Sequence, residues 1–140
     1  MPFEYFEVTA EVGMRAWGSN LSEAFAEAAR ALFELMVDTA AVRPQQTLTV
    51  ELSAESREVL LADWLNRLIL ERDRTGCVFS EFSVTISQSA EGFVLVGQAR
   101  GERLDRERHD PRIDVKAVTY NNLRVLQQPD RVCVECVLDI

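Results

Sequence analysis

Residues 6–18 read FEVTAEVGMRAWG and alternate in polarity. Phe6, Val8, Ala10, Val12, Met14 and Ala16 fall on one side of an extended chain, and Glu7, Thr9, Glu11, Gly13 and Arg15 on the other. A period of two argues for a half-buried strand, or for two strands with a bend at Gly13. Residues 132–139, VCVECVLD, repeat the pattern. Val132, Val134, Cys136 and Leu138 share a face with Ile140, and Cys133, Glu135, Val137 and Asp139 take the other. Strands with one apolar face need a covering layer on that side only.

The stretches between supply the cover. Asn20 precedes an apolar series (Leu21, Phe25, Ala28, Leu32, Leu35/Met36) and has Glu23 three residues on, which predicts a capped helix from Asn20 to about Val37. A second helix begins near SAES (53–56), carries Leu61, Leu65, Leu68 and Ile69 as its stripe, and ends at Gly76. Short alternating runs at 47–52, 77–87, 93–100, 113–120, 122–127 and 132–139 read as strands. The expected fold is α+β, a two-layer sandwich: a mostly antiparallel sheet with two amphipathic helices packed on one face. Residues 1–140 read as one domain, without repeat or linker.

Composition narrows the function. With 47% hydrophobic residues the chain has the makings of a core, and no apolar run is long enough to span a bilayer. The N-terminal MPFEYFE has neither a basic nor an apolar leader region, so the expected location is cytoplasmic. A net charge of −8 repels phosphate backbones, so direct RNA or DNA binding through bulk charge is not expected. Charge is uneven: from Arg100 to Lys116 six bases face five acids, and local contact with a phosphate or an acidic partner stays open there. Cys133 and Cys136 have C-x-x-C spacing, but a strand sends them to opposite faces and no second pair completes a zinc site.

Few residues are equipped for chemistry. The Asp139 carboxylate sits next to that of Ile140 at the chain's end, a pair of anions that would attract a hard cation if held still. Lys116 is the single lysine among 15 basic residues, and His109 the single histidine; alone, His109 reads as a surface or turn residue. No nucleophile elbow, zinc-protease helix, P-loop or dinucleotide loop is present, so an independent enzyme is not expected.

Taken together, TAEVGMRAWGSNLSEAFAEAARALFELM, DWLNRLIL, GCVFSEF, GERLDRERHDP, VKAVTY and the terminal LDI resemble the archease family, in order and over nearly the whole chain. VKAVTY followed about twenty residues later by a terminal Asp-Ile is the most specific part. The resemblance implies a non-enzymatic, chaperone-like accessory protein for the GTP-dependent ligase that joins 3′-phosphate and 5′-hydroxyl RNA ends in tRNA splicing. Such a protein promotes guanylylation and multiple turnover of the ligase and meets RNA only through it. It further implies a divalent-cation site (Ca2+, or Mg2+/Mn2+) formed by Glu11, Asp139 and Ile140, with Lys116 and His109 as further functional candidates. Val8 and Glu11 stand where the family usually has His and Asp, and Asn121 where a His often follows VKAVTY. A protein-interaction module without a dedicated ligase is the alternative. A small metal hydrolase built on Glu11 and Asp139 is a third reading, for which the chain offers no further general base or nucleophile.

Overall fold

The computed structural model describes residues 2–8 and 11–140. Strands β1 (Phe3–Val8) and β2 (Glu11–Gly18) form an antiparallel hairpin that pairs Phe3 with Ala16 and Val8 with Glu11. β2 runs through Gly13 unbroken, and Val8 and Glu11, expected in one strand, lie in separate antiparallel strands. Pairing at this register also changes parity. Phe6 and Val8 share the face of Glu11, Gly13 and Arg15, whereas Phe3 and Tyr5 share that of Met14 and Ala16. The single apolar face expected from Phe6 to Ala16 is corrected accordingly; Thr9 and Ala10 lie outside the described residues. Gly13 has its own role. A Cβ there would stand 2.1 Å from the Phe6 ring, so the glycine makes room for a cross-strand aromatic.

The first helix, α1 (Leu21–Met36), starts as the sequence predicts: the Asn20 side chain accepts the Glu23 N–H at 2.9 Å. The Glu23 carboxylate accepts the Ser19 hydroxyl at 2.6 Å, one residue short of a reciprocal box. A 3-10 turn at Thr39–Ala41 leads to β3 (Gln46–Ala54) and then α2 (Arg57–Thr75). Gly76 ends α2 at φ 75°, the left-handed conformation a C-cap glycine supplies. β4 (Cys77–Ser89) and β5 (Gly92–Arg103) follow, then the single turn α3 (Arg106–His109). The strand expected over 113–120 shrinks to β6 (Ala117–Val118), and β7 (Arg124–Gln127) and β8 (Val132–Asp139) close the chain.

The expected sheet is divided in two. One has the order β1-β2-β8-β6, with β7 also on β8; the other is β3-β5-β4, and every pairing is antiparallel. α1 packs on β2 of one sheet and β4 of the other, and α2 spans from β3 to β6 and β7. Phe25, Leu32, Phe33, Leu61, Trp64, Leu65 and Leu68 are fully buried between the helices and sheets. Among the described residues no helix is long and apolar enough to cross a membrane.

Trp64 is pinned where α2 crosses β5. Its indole N–H donates to Phe25 O at 3.1 Å, and a Cβ on Gly97 would approach the ring to 2.7 Å. Gly97→Ala is expected to cost about 1–3 kcal/mol through overpacking. Urea unfolding should show a lower midpoint at an unchanged slope; an unchanged midpoint would mean that the indole has room to move.

Candidate functional site at the strand ends

β8 lies between β2 on one side and β6 and β7 on the other. Its pairing with β2 sets Glu11 opposite Asp139, and its pairing with β6 sets Ala117 opposite the same residue. Glu11 and Asp139 therefore share one face of the sheet at its tip, as direct cross-strand neighbours. Lys116 precedes β6, and its N–H donates to the Asp139 carbonyl at 2.8 Å. Alternation puts the Lys116 side chain on the opposite side from Asp139, level with Ile140. The structure thus brings four of the five sequence candidates to one tip: Glu11, Asp139, Ile140 and Lys116. Asp139 and Lys116 are exposed and Glu11 is half-buried.

Charge matching elsewhere on the same face makes the tip distinctive. Two rows away, Glu4, Arg15, Glu135 and Arg124 form a ladder of alternating sign. Arg15 pairs with Glu4 and, at 2.6 Å, with Glu135, which Arg124 approaches at 3.9 Å. Among the described residues neither Glu11 nor Asp139 has an ion-pair partner. Two carboxylates placed directly opposite each other repel, typically by a few tenths of a kcal/mol up to about 1. Oxygen donors so placed suit a hard cation. Among the described residues no three His, Cys, Asp or Glu side chains come together as a ligand set. Among the described residues, Glu11 and Asp139 are the side-chain carboxylates that face each other at the tip.

His109 goes elsewhere. It is fully buried, so its reading as a surface residue is corrected. Its Nδ1 accepts the Asp105 N–H at 2.9 Å, which puts the ring proton on Nε2, 3.0 Å from Glu102 Oε2. Glu102 is the centre of this knot: Arg108 grips it with two bonds of 2.7 and 2.9 Å, and the Arg43 N–H donates to it at 2.6 Å. Arg108 also reaches Ala41 O, while Asp38 N–H donates to His109 O and Arg112 N–H to Met36 O. The knot ties β5, the 3-10 turn, α3 and the end of α1 together. No pattern in GERLDRERH distinguishes this buried ionic centre from a solvated charge run. A cleft of about 510 Å3, lined by Met36, Arg72, Leu104, Arg106, Pro111 and Ile113 among others, touches none of the tip residues.

The cysteines follow the strand rule. Cys133 pairs with Trp17 and Cys136 with Met14, on opposite faces of β8, and all three thiols are free and buried. Burial pushes Cys136 up to about 12, which keeps it protonated and unreactive.

Two antiparallel sheets sharing a pair of helices, with the C-terminal strand central and two unmatched carboxylates at its end, define an α+β domain whose distinctive chemistry is a sheet-tip acid pair. The chain belongs to the archease family: the model of the Archease protein family (MTH1598/TM1083) matches residues 3–140. It is 41% identical over 128 residues to the protein archease of Thermococcus gammatolerans, spanning 91% of this chain and 90% of that one. The solution structure of Methanobacterium thermoautotrophicum protein 1598 superposes with a TM-score of 0.88 at 39% identity, over 99% of both chains. A Thermotoga maritima archease, described as a possible chaperone, shares the fold with a TM-score of 0.63 at 20% identity, over 96% of this chain and 94% of that one.

The Glu102 knot makes a prediction about acid stability. The Arg108 guanidinium first, then the Arg43 N–H and His109, hold the Glu102 carboxyl well below the usual carboxylate range, against the opposing effect of burial. A carboxylate whose folded pKa is depressed stabilises the fold fully above its unfolded pKa, about 4.3, and loses that contribution as pH falls toward the folded value. Glu102→Gln should therefore be markedly less stable than the parent at pH 7, and the gap should narrow below about pH 4. Denaturation midpoints measured against pH check it; a gap independent of pH would assign the loss to packing.

Proposed function

We propose that this archease acts as an accessory protein for a GTP-dependent RNA-splicing ligase, promoting guanylylation of the ligase and its repeated turnover, with the Glu11–Asp139 tip as the working end. The observation that carries the reading is the register placing Glu11 directly opposite Asp139, with the Lys116 main chain bonded to Asp139. Glu11 and Asp139, with oxygens of Ile140, would hold a divalent cation, Ca2+ or Mg2+/Mn2+. Such an ion supplies positive charge that orients and neutralises phosphate oxygens. Two side-chain carboxylates fill only part of a six- to eight-oxygen shell, leaving positions for water and for phosphate oxygens. Glu11 in place of the family's Asp reaches one methylene further, which suits the adaptable shell of Ca2+ better than the strict octahedron of Mg2+. The negative chain as a whole favours encounter with a basic, RNA-binding protein in the cytoplasm.

A second reading, general chaperone-like binding, draws on the description of the Thermotoga relative and on half-exposed apolar side chains such as Leu126 (48%) on the uncovered sheet face. The two readings separate in one assay. With the ligase limiting, ligated RNA per ligase molecule should rise from about one to many when this protein is added. Asp139→Asn and Glu11→Gln should each lower that stimulation by on the order of tenfold or more, since even outer-shell changes at metal sites cost about 10–100-fold. Full stimulation by both variants would remove the tip from the mechanism. Suppressed aggregation of unrelated unfolded proteins, with no effect on the ligase, would favour the chaperone reading.

A further inference from the structure

The segment bearing Lys116 is held from two sides. On one side β8 takes its main chain: Lys116 N–H donates to Asp139 O at 2.8 Å and Thr119 N–H to Val137 O at 3.0 Å. β6 itself is only two residues long, so this ladder alone is a slight hold. The other edge of β6 faces α2, where a single side chain takes the place of a neighbouring strand. Asn66 Oδ1 accepts the Val118 N–H at 2.8 Å, and Asn66 Nδ2 donates to Val118 O at 3.1 Å. One turn earlier on the same helix face, Asp63 Oδ1 accepts the Tyr120 hydroxyl at 2.7 Å.

A carboxamide is suited to this task in a way that other side chains of its size are not. It offers one donor and one acceptor in a plane, the complement of a peptide's own C=O and N–H. Asp in its place would keep the acceptor for Val118 N–H but set an oxygen against the Val118 carbonyl. Ala would leave both main-chain groups to water. Asn66 is half-buried, so truncating it opens the gap toward solvent, and the loss falls first on the β6 segment.

Resting on the reading of the tip as the functional site, we propose that Asn66 is its positioning residue. By gripping both main-chain groups of Val118, it fixes the height of the Lys116 segment against β8, and so sets where the Lys116 ammonium stands at the tip, on the sheet face opposite that of Glu11 and Asp139. Asn66 acts through Lys116 and touches no reacting group. A helix residue fifty positions upstream thereby controls the geometry of a site built by the strand ends.

The test uses the full chain with its ligase and four proteins: Asn66→Ala, Asn66→Asp, Lys116→Ala, and the Asn66→Ala/Lys116→Ala double variant. Asn66→Ala should unfold near the parent midpoint, while hydrogen exchange at Val118 and its neighbours speeds by about tenfold or more for the two lost bonds. Stimulation of ligase turnover at saturating accessory protein should fall toward that of Lys116→Ala. The double variant should then be no worse than Lys116→Ala alone, because the two substitutions remove one function. Asn66→Asp should lie between parent and Ala, and it serves as the packing-neutral variant where the Ala protein loses its fold. Independent, multiplying losses in the double variant would overturn the proposal, leaving Asn66 a structural strap. Full stimulation by Asn66→Ala with loss in Lys116→Ala would also overturn it, without touching the tip reading. Full stimulation by Lys116→Ala would overturn the role of Lys116 and the inference together, while Asp139→Asn reports separately on the acid pair.

Discussion

The constraint on which the tip depends is the pairing of β8 with strands on both of its edges. Its register is set by burial: Leu138, Cys136 and Val134 point inward at 0%, 1% and 2% exposure. A slip of one residue would move all three to the outer face of the sheet and turn Glu135 and Asp139 toward the helices. Burying a single leucine or valine is worth about 1.5–3 kcal/mol, whereas like charges opposite each other cost at most about 1. Packing therefore wins by a wide margin. The core can hold Glu11 and Asp139 together against their repulsion, although nothing among the described residues neutralises them.

The outer face of the same sheet shows that the acid pair is a local choice rather than a general excess of charge. Its rows run across the strands in order: Glu11–Asp139, then Phe6–Gly13–Val137, then Glu4–Arg15–Glu135–Arg124. The third row is matched residue for residue. Between the two charged rows lies an apolar one, in which the Phe6 ring covers Gly13 and draws the Arg15 guanidinium to 4.9 Å from its centroid. Arg15 is thus committed to Phe6, Glu4 and Glu135, and the nearest guanidinium along β2 is not available to the tip.

Much of this was legible in the sequence because it rests on period and on local caps. The alternation of 132–139, the Asn20 cap, the Gly76 stop and the division of Cys133 from Cys136 all follow from single elements. What escaped depends on how elements meet. Alternation from Phe6 to Ala16 looks continuous, yet Val8 pairs with Glu11, and that register exchanges the faces. His109 and Glu102 look like members of a solvated charge run until α3 folds back on β5. Asn66 looks like an ordinary polar position at the edge of a helical stripe, and only tertiary packing reveals Val118 opposite its amide. The acid pair itself was reached from the sequence through family resemblance; alternation supplied the faces and the strand pairing supplied the contact.

Two kinds of rigidity meet at the tip. Glu11 and Asp139 stand at the ends of eight-residue strands that pair with each other along their whole length. Lys116 immediately precedes a two-residue strand whose position depends on a few hydrogen bonds, those of β8 on one side and of Asn66 on the other. Under the proposed function, the acids would act from one face of the tip and the Lys116 ammonium from the other. Two side-chain carboxylates with oxygens of Ile140 would then fill only part of an ion's shell, leaving the rest to water or to the partner. That incompleteness is a defect in a metalloenzyme, which must act alone, and an advantage in an accessory protein. Under the proposed function, the ligase's nucleotide phosphates would complete the coordination, and assembly of the two proteins would itself build the site.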